Sequence, residues 1–153
     1  MKPSSKTTPR PLADSGQTLV EFAVSAIVFL LLVFAIIDFS FLFFAKLTLQ
    51  NAVRQAGRYA ITGQAMQGKT RYLSIMQTVQ DFGLGFATSS NTTICSVPGS
   101  CTSGGGPGAA VTVTITYPYK FITPLVTPFF TNGSYTITVS STFKNEPFPP
   151  GQT

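Results

Sequence analysis

The sequence predicts an α+β protein, in which a long N-terminal transmembrane helix continues into a small extracytoplasmic domain with an antiparallel β-sheet. Three observations carry this. Residues 22–37 are apolar apart from Ser25. A helical stripe then continues as far as Gly63. Further on, "AVTVTITYPY" and "SYTITVSSTF" alternate apolar and hydroxyl-bearing residues with the period of half-buried strands. The expected organisation is a basic segment at 1–16, a transmembrane helix at 17–45, and an α+β domain at 46–153 that includes a helix extension to about residue 62.

The apolar region resumes after Asp38 and runs to Ala45. From Phe22 this is roughly 36 Å of helix, enough to cross a hydrocarbon core of about 30 Å. A cleaved secretory signal fits less well, because the run exceeds the usual apolar core of about 7 to 15 residues and no small-x-small site follows it. Positive charge does not orient the helix, since Lys2, Lys6 and Arg10 before it are balanced by Lys46, Arg54 and Arg58 after it. The short tail and the cysteines on the far side favour a cytoplasmic N-terminus and an external C-terminal domain.

Beyond the apolar run, Ala45, Leu49, Ala52, Ala56 and Ala60 form one stripe, and Lys46, Gln50, Arg54 and Arg58 another. The small residues every four positions suit either close approach of a second helix or packing on the chain's own domain. A second amphipathic helix is expected over Thr70 to Phe82, with Tyr72, Ile75, Met76, Val79 and Phe82 on its apolar face and Gly83 at its end. The run from Ala87 to Gly108 is rich in Ser, Thr, Gly and Pro and reads as an exposed loop. Its "GGGPG" tract lacks the lysine and following helix of a phosphate-binding loop.

In the two strands, Val111, Val113, Ile115 and Tyr117 share a face with Tyr135, Ile137, Val139 and Phe143, which the helices must cover. The connection "KFITPLVTPFFTNG" is too apolar for an ordinary loop and too rich in proline for a strand. It suits a place on the core, a membrane surface or a partner-binding patch.

Cys95 and Cys101 are too few ligands for zinc in a chain without histidine. A disulfide closing the loop "SVPGS" is expected, with two unpaired thiols as the alternative, and a disulfide places this half in an oxidising compartment. The net charge of +5 is not gathered with aromatics on one face, so no nucleic-acid partner is expected. The carboxylates Glu21, Asp38, Asp81 and Glu146 are scattered. The chain therefore lacks the materials for a catalytic triad or acid/base pair, and no enzymatic activity, cofactor, metal or small-molecule substrate is expected.

Glu21 needs a reason, because a carboxylate in a membrane helix costs on the order of 2.5–3.5 kcal/mol at the bilayer centre and less near an interface. A basic leader ending in Gly16, a glutamate five residues later, then Phe22 and an apolar helix resembles a type IV prepilin processing site. The longer run "GQTLVEFAVSAIVFLLLVFAIIDFSFLFFAKLTLQNAVRQAGRYAITGQ" resembles the TadE-like family of tight-adherence (Tad) pilus-assembly proteins. The shared features are the Val-Glu-Phe start, the acidic residue before Phe39 late in the helix (Asp38), the segment "LQNAVRQAGRYA" and the terminal "NEPF".

This resemblance implies cleavage by a prepilin peptidase between Gly16 and Gln17, which removes Lys2, Lys6, Arg10 and Asp14 with the leader. It implies a minor pilin-like subunit, or pseudopilin, of Flp-type pili that serve adhesion, with other Tad pilin or pseudopilin subunits as partners. Glu21, Phe22 and Asp38 are then assembly residues, with Glu21 pairing a neighbour's new N-terminal amine. The implied location is a single pass of the bacterial inner membrane, with the pilus or cell surface as further destinations. Two alternatives stay open: an uncleaved anchor with Glu21 hydrated at the interface, and an extracytoplasmic adhesin-like module displayed on that anchor.

Overall fold

The structure, a computed structural model, describes residues 13–97, 100–124 and 126–148. Most of the basic leader lies outside the described residues, as do Pro98 and Gly99 of the expected disulfide loop and Leu125 of the apolar connection.

One helix, α1 (Ala13–Ile61), carries everything else. Its first half stands uncovered: Phe22 is 74% and Phe29 65% exposed, so this is no core helix of a soluble domain. Residues 16–61 are long and apolar enough to cross a membrane, consistent with a single-pass anchor. The helix ends where the sequence places its stop. Gly63 adopts φ +70°, a left-handed position that glycine takes without a Cβ clash, and its N–H bonds Ala60 O at 3.3 Å.

The second helix, α2 (Arg71–Phe82), is capped by Thr70, whose hydroxyl accepts from Leu73 N at 3.4 Å. It packs against α1, and the two cover one face of a three-stranded antiparallel sheet. In that sheet β2 (Ala110–Lys120) is central, β3 (Ser134–Lys144) lies on one side and β1 (Thr92–Val97) on the other. The alternation of β2 and β3 predicts the inner face well. Val111, Val113, Ile115, Ile137 and Val139 are buried, while Tyr135 is half exposed. On the outer face Thr112 meets Thr142 at 2.8 Å and Thr114 meets Ser140 at 3.0 Å.

The strand β1 lies inside the stretch expected to be loop. Its inward residues are Thr92, Ile94 and Ser96, so only one apolar side chain marks the buried face. Hydrogen-bond pairing with β2, from Thr92 opposite Ile115 to Val97 opposite Ala110, supplies what side-chain pattern does not.

Cys95 and Cys101 form a disulfide across six positions. Cys95 lies in β1 and Cys101 in the turn after it, so the bond fixes the exit from an edge strand. Closing so short a loop restricts the unfolded chain by about 2 kcal/mol. The Cys95→Ser, Cys101→Ser double variant is therefore expected to lose about that much stability in detergent-solution unfolding. Reduction of the native protein should produce the same loss, and no loss in either would show that the turn is fixed without the bond.

The stripe Ala45, Leu49, Ala52, Ala56 and Ala60 is wholly buried by the chain's own sheet and second helix. Of the two uses open to those small residues, intrachain packing is the one the structure contains. At Gly57 the fit is close enough that a Cβ would stand 2.2 Å from the Phe143 ring. Cover by the domain starts below the expected boundary at residue 45, since Asp38 and Leu42 are already buried.

Candidate functional site

Gly16 and Gln17 lie within α1 rather than ahead of it. Among the described residues nothing stands within 4 Å of where a Cβ on Gly16 would be, and the residue does not have a positive φ. One turn on, the Gln17 amide Nε2 donates to Glu21 Oε1 at 3.4 Å, and both side chains are exposed. Phe22 projects from the helix without cover. These four residues form one exposed end of the apolar stretch.

Asp38 stands at the other end, seventeen positions from Glu21 and about 26 Å along the axis. The structure does not bring the two carboxylates together. Instead β2 descends alongside α1, from Ala110 and Val111 near Gly57 to Tyr119 beside Asp38. The connection from β2 to β3 then turns beneath the sheet through two short 3-10 turns, Thr127–Phe129 and Thr131–Gly133.

Asp38 is 0% exposed, and its carboxylate is held by that connection. Ile122 N donates to Oδ1 at 3.1 Å and Thr123 N to Oδ2 at 3.2 Å. The Thr123 hydroxyl also donates to Oδ2. Two backbone N–H groups and a hydroxyl thus solvate the carboxylate in place of water, which makes its burial tolerable. The Tyr119 hydroxyl donates to the Asp38 backbone carbonyl at 3.4 Å. Burial raises the Tyr119 phenol above its ordinary range, with the charge of Asp38 and then Tyr117 adding to the effect. Around this node Phe121 packs on Tyr119, Phe130 and Phe39, with ring centroids 5.5, 4.3 and 6.4 Å apart.

At the top of α1 a second polar node closes the domain. Arg71, the first residue of α2, is 1% exposed and donates to Ala60 O in the last turn of α1 and to Gly105 O. Its guanidinium lies 4.6 Å from the centre of the Phe148 ring. Burial lowers its pKa. Asn145 Nδ2 reaches Gly104 O at 3.2 Å and Gly106 O at 2.9 Å, and Glu146 N bonds Ile61 O at 3.1 Å. The terminal "NEPF" is thereby a latch across the end of the long helix. Sequence reasoning did not single out Arg71, because an arginine at the start of an amphipathic helix reads as solvated.

The protein family described as TadE-like protein matches residues 16–58. No curated protein and no solved structure gives a match to the chain. The family match begins at Gly16 and takes in Gln17, Glu21, Phe22 and Asp38. The residues singled out for processing and assembly thus lie on the segment that is similar to the TadE-like family.

Proposed function

We propose that this chain is a minor pilin-like (pseudopilin) component of a Tad-type pilus assembly and secretion system, cut by a prepilin peptidase between Gly16 and Gln17 and contributing to adhesion. In this reading it crosses the inner membrane once, with the N-terminus in the cytoplasm and the α+β domain outside, and its partners are the peptidase and other Tad subunits. The carrying observation is Gly16 itself. Glycine inside a helix costs about 0.5–1 kcal/mol relative to alanine, and among the described residues no neighbour of Gly16 requires the missing Cβ. A requirement outside the fold, such as entry of the peptide into a protease site, accounts for it.

Cleavage there would place a new ammonium at the N-terminus of a helix, where the macrodipole disfavours positive charge. Glu21, one turn away and already in contact with Gln17, is suited to neutralise that ammonium on its own chain or on a neighbouring copy. Phe22 supplies apolar surface beside it.

The test is the N-terminus of the membrane-extracted protein, read by intact mass and peptide mapping from a host with the cognate peptidase. A start at Gln17 is expected, with cleavage abolished in Gly16→Leu. Glu21→Lys should still be cleaved but should fail to join assemblies. An intact N-terminus, with the peptidase shown active on another substrate, would sink the pseudopilin reading and leave an anchored extracytoplasmic binding module.

A further inference from the structure

We infer that the β2–β3 connection, at residues 121–124 and 126–133, is immersed in the outer leaflet of the bilayer beside the helix, so that the domain rests in the membrane rather than above it. The inference rests on the reading of α1 as a membrane anchor. Its first support is depth. With Glu21 at the inner boundary, a hydrocarbon core of about 30 Å extends to roughly residue 41 along an upright helix and further along a tilted one. Asp38 falls short of that limit. The segment that hydrogen-bonds Asp38 therefore stands at the level of the outer acyl boundary.

The second support is the surface. Phe129 is 81% and Ile122 64% exposed, and no acidic residue occurs between Lys120 and Tyr135. From the same connection Phe130, with Tyr135 at the start of β3, joins Phe39, Phe43 and Lys46 of the helix in lining a groove of about 220 Å³. Lys46 lies eight positions above Asp38, about 12 Å, where its ammonium can reach the headgroups while its stem stays on apolar surface.

The third support is the backbone. Irregular chain is tolerated at membrane depth only where its polar groups are satisfied. Here Phe121 N bonds Gly133 O, Ile122 N and Thr123 N bond Asp38, and Val126, Phe129 and Phe130 N bond carbonyls three residues back. Pro124 and Pro128 have no N–H to satisfy. A lipid surface fits an uncharged segment that turns Ile122 and Phe129 outward, has most of its described amides bonded and keeps its exposed polar residues, Thr131 and Asn132, at the end that leads into β3.

The test uses the full chain in vesicles of phosphatidylethanolamine and phosphatidylglycerol, with single spin labels on Ile122→Cys, Phe129→Cys, Ile27→Cys and Gln80→Cys. Cys95 and Cys101 stay paired and unlabelled. Collision with oxygen and with a water-soluble nickel chelate reports depth. The oxygen-to-chelate ratio at 122 and 129 is expected to exceed that at Gln80 several-fold and to remain below that at Ile27. Ratios at 122 and 129 equal to that at Gln80, with Ile27 still deep, would overturn the immersion while leaving the anchor intact. A water-accessible Ile27 would remove the anchor and this inference with it. Protection at 129 that disappears on dilution with lipid, together with spin–spin broadening that unlabelled protein removes, would assign the patch to a second copy and overturn the lipid assignment.

Discussion

Arg71→Met is expected to destabilise the folded domain by about 3 kcal/mol and to release the C-terminal latch from the end of α1. Two opposed effects set that figure. The native guanidinium makes hydrogen bonds to Ala60 O and Gly105 O, each charge-assisted bond contributing about 1.5–3 kcal/mol. Against this stand the desolvation of the cation and a buried Nε that has no partner among the described residues. The desolvation is partly offset because Ala60 O belongs to the C-terminal turn of a 49-residue helix, the negative end of its dipole. The Phe148 face adds a cation–π contact of about 0.5–2 kcal/mol.

Methionine keeps the apolar stem as far as the position of Nε, so the loss reflects the orphaned carbonyls together with the space the guanidinium head filled. Arg71→Lys is expected to lose about half as much, since one ammonium at the end of a flexible stem lacks the planar fork that reaches both carbonyls. Unfolding in detergent solution measures the cost, and amide exchange at Glu146 reports the latch through its bond to Ile61 O. Full protection of Glu146 in Arg71→Met, with stability within about 1 kcal/mol of the native protein, would show that each carbonyl finds another donor.

Where local pattern decided structure, the sequence was easy to read. The apolar run and the i,i+4 stripe defined α1 almost to its last residue, and Gly63 marked its end. Thr70 and Gly83 bracketed α2, although its buried face includes Arg71, Ser74 and Thr78 as well as the apolar residues. The alternation of β2 and β3 specified both register faces. What was not legible depends on residues distant in sequence. Nothing near Thr92 or Ser96 announces a buried face, because only the neighbouring β2 makes that stretch a strand. The connection at 121–133 fitted three environments, and the structure divides it: Phe121 and Val126 are core, while Ile122 and Phe129 face outward. Gly16, Gln17, Glu21 and Phe22 were singled out by their order in the chain, and the fold adds that none of them is buried.

Asp38→Ala is expected to cost about 3–5 kcal/mol, because the acceptor of three donors is lost at once. Asp38→Asn should cost about half as much: one carbonyl oxygen remains, but its NH₂ now faces an N–H that it cannot accept. Thr123→Val, which removes only the hydroxyl, should cost about 1–1.5 kcal/mol. The order follows from the number of donors left unpaired, and exchange of the Ile122 and Thr123 amides should rise in the same order. Water can partly rescue those donors in a detergent micelle and hardly at all in the acyl boundary of a bilayer, so the same substitutions should release the connection more completely in vesicles. None of them should affect the cleavage proposed after Gly16, which lies at the far end of the apolar stretch. An Asp38→Asn protein that kept native stability and amide protection yet failed to join assemblies would instead assign the carboxylate to contacts between subunits. Loss of fold and loss of assembly in step would mean that Asp38 serves the pilus by holding its own domain onto the helix.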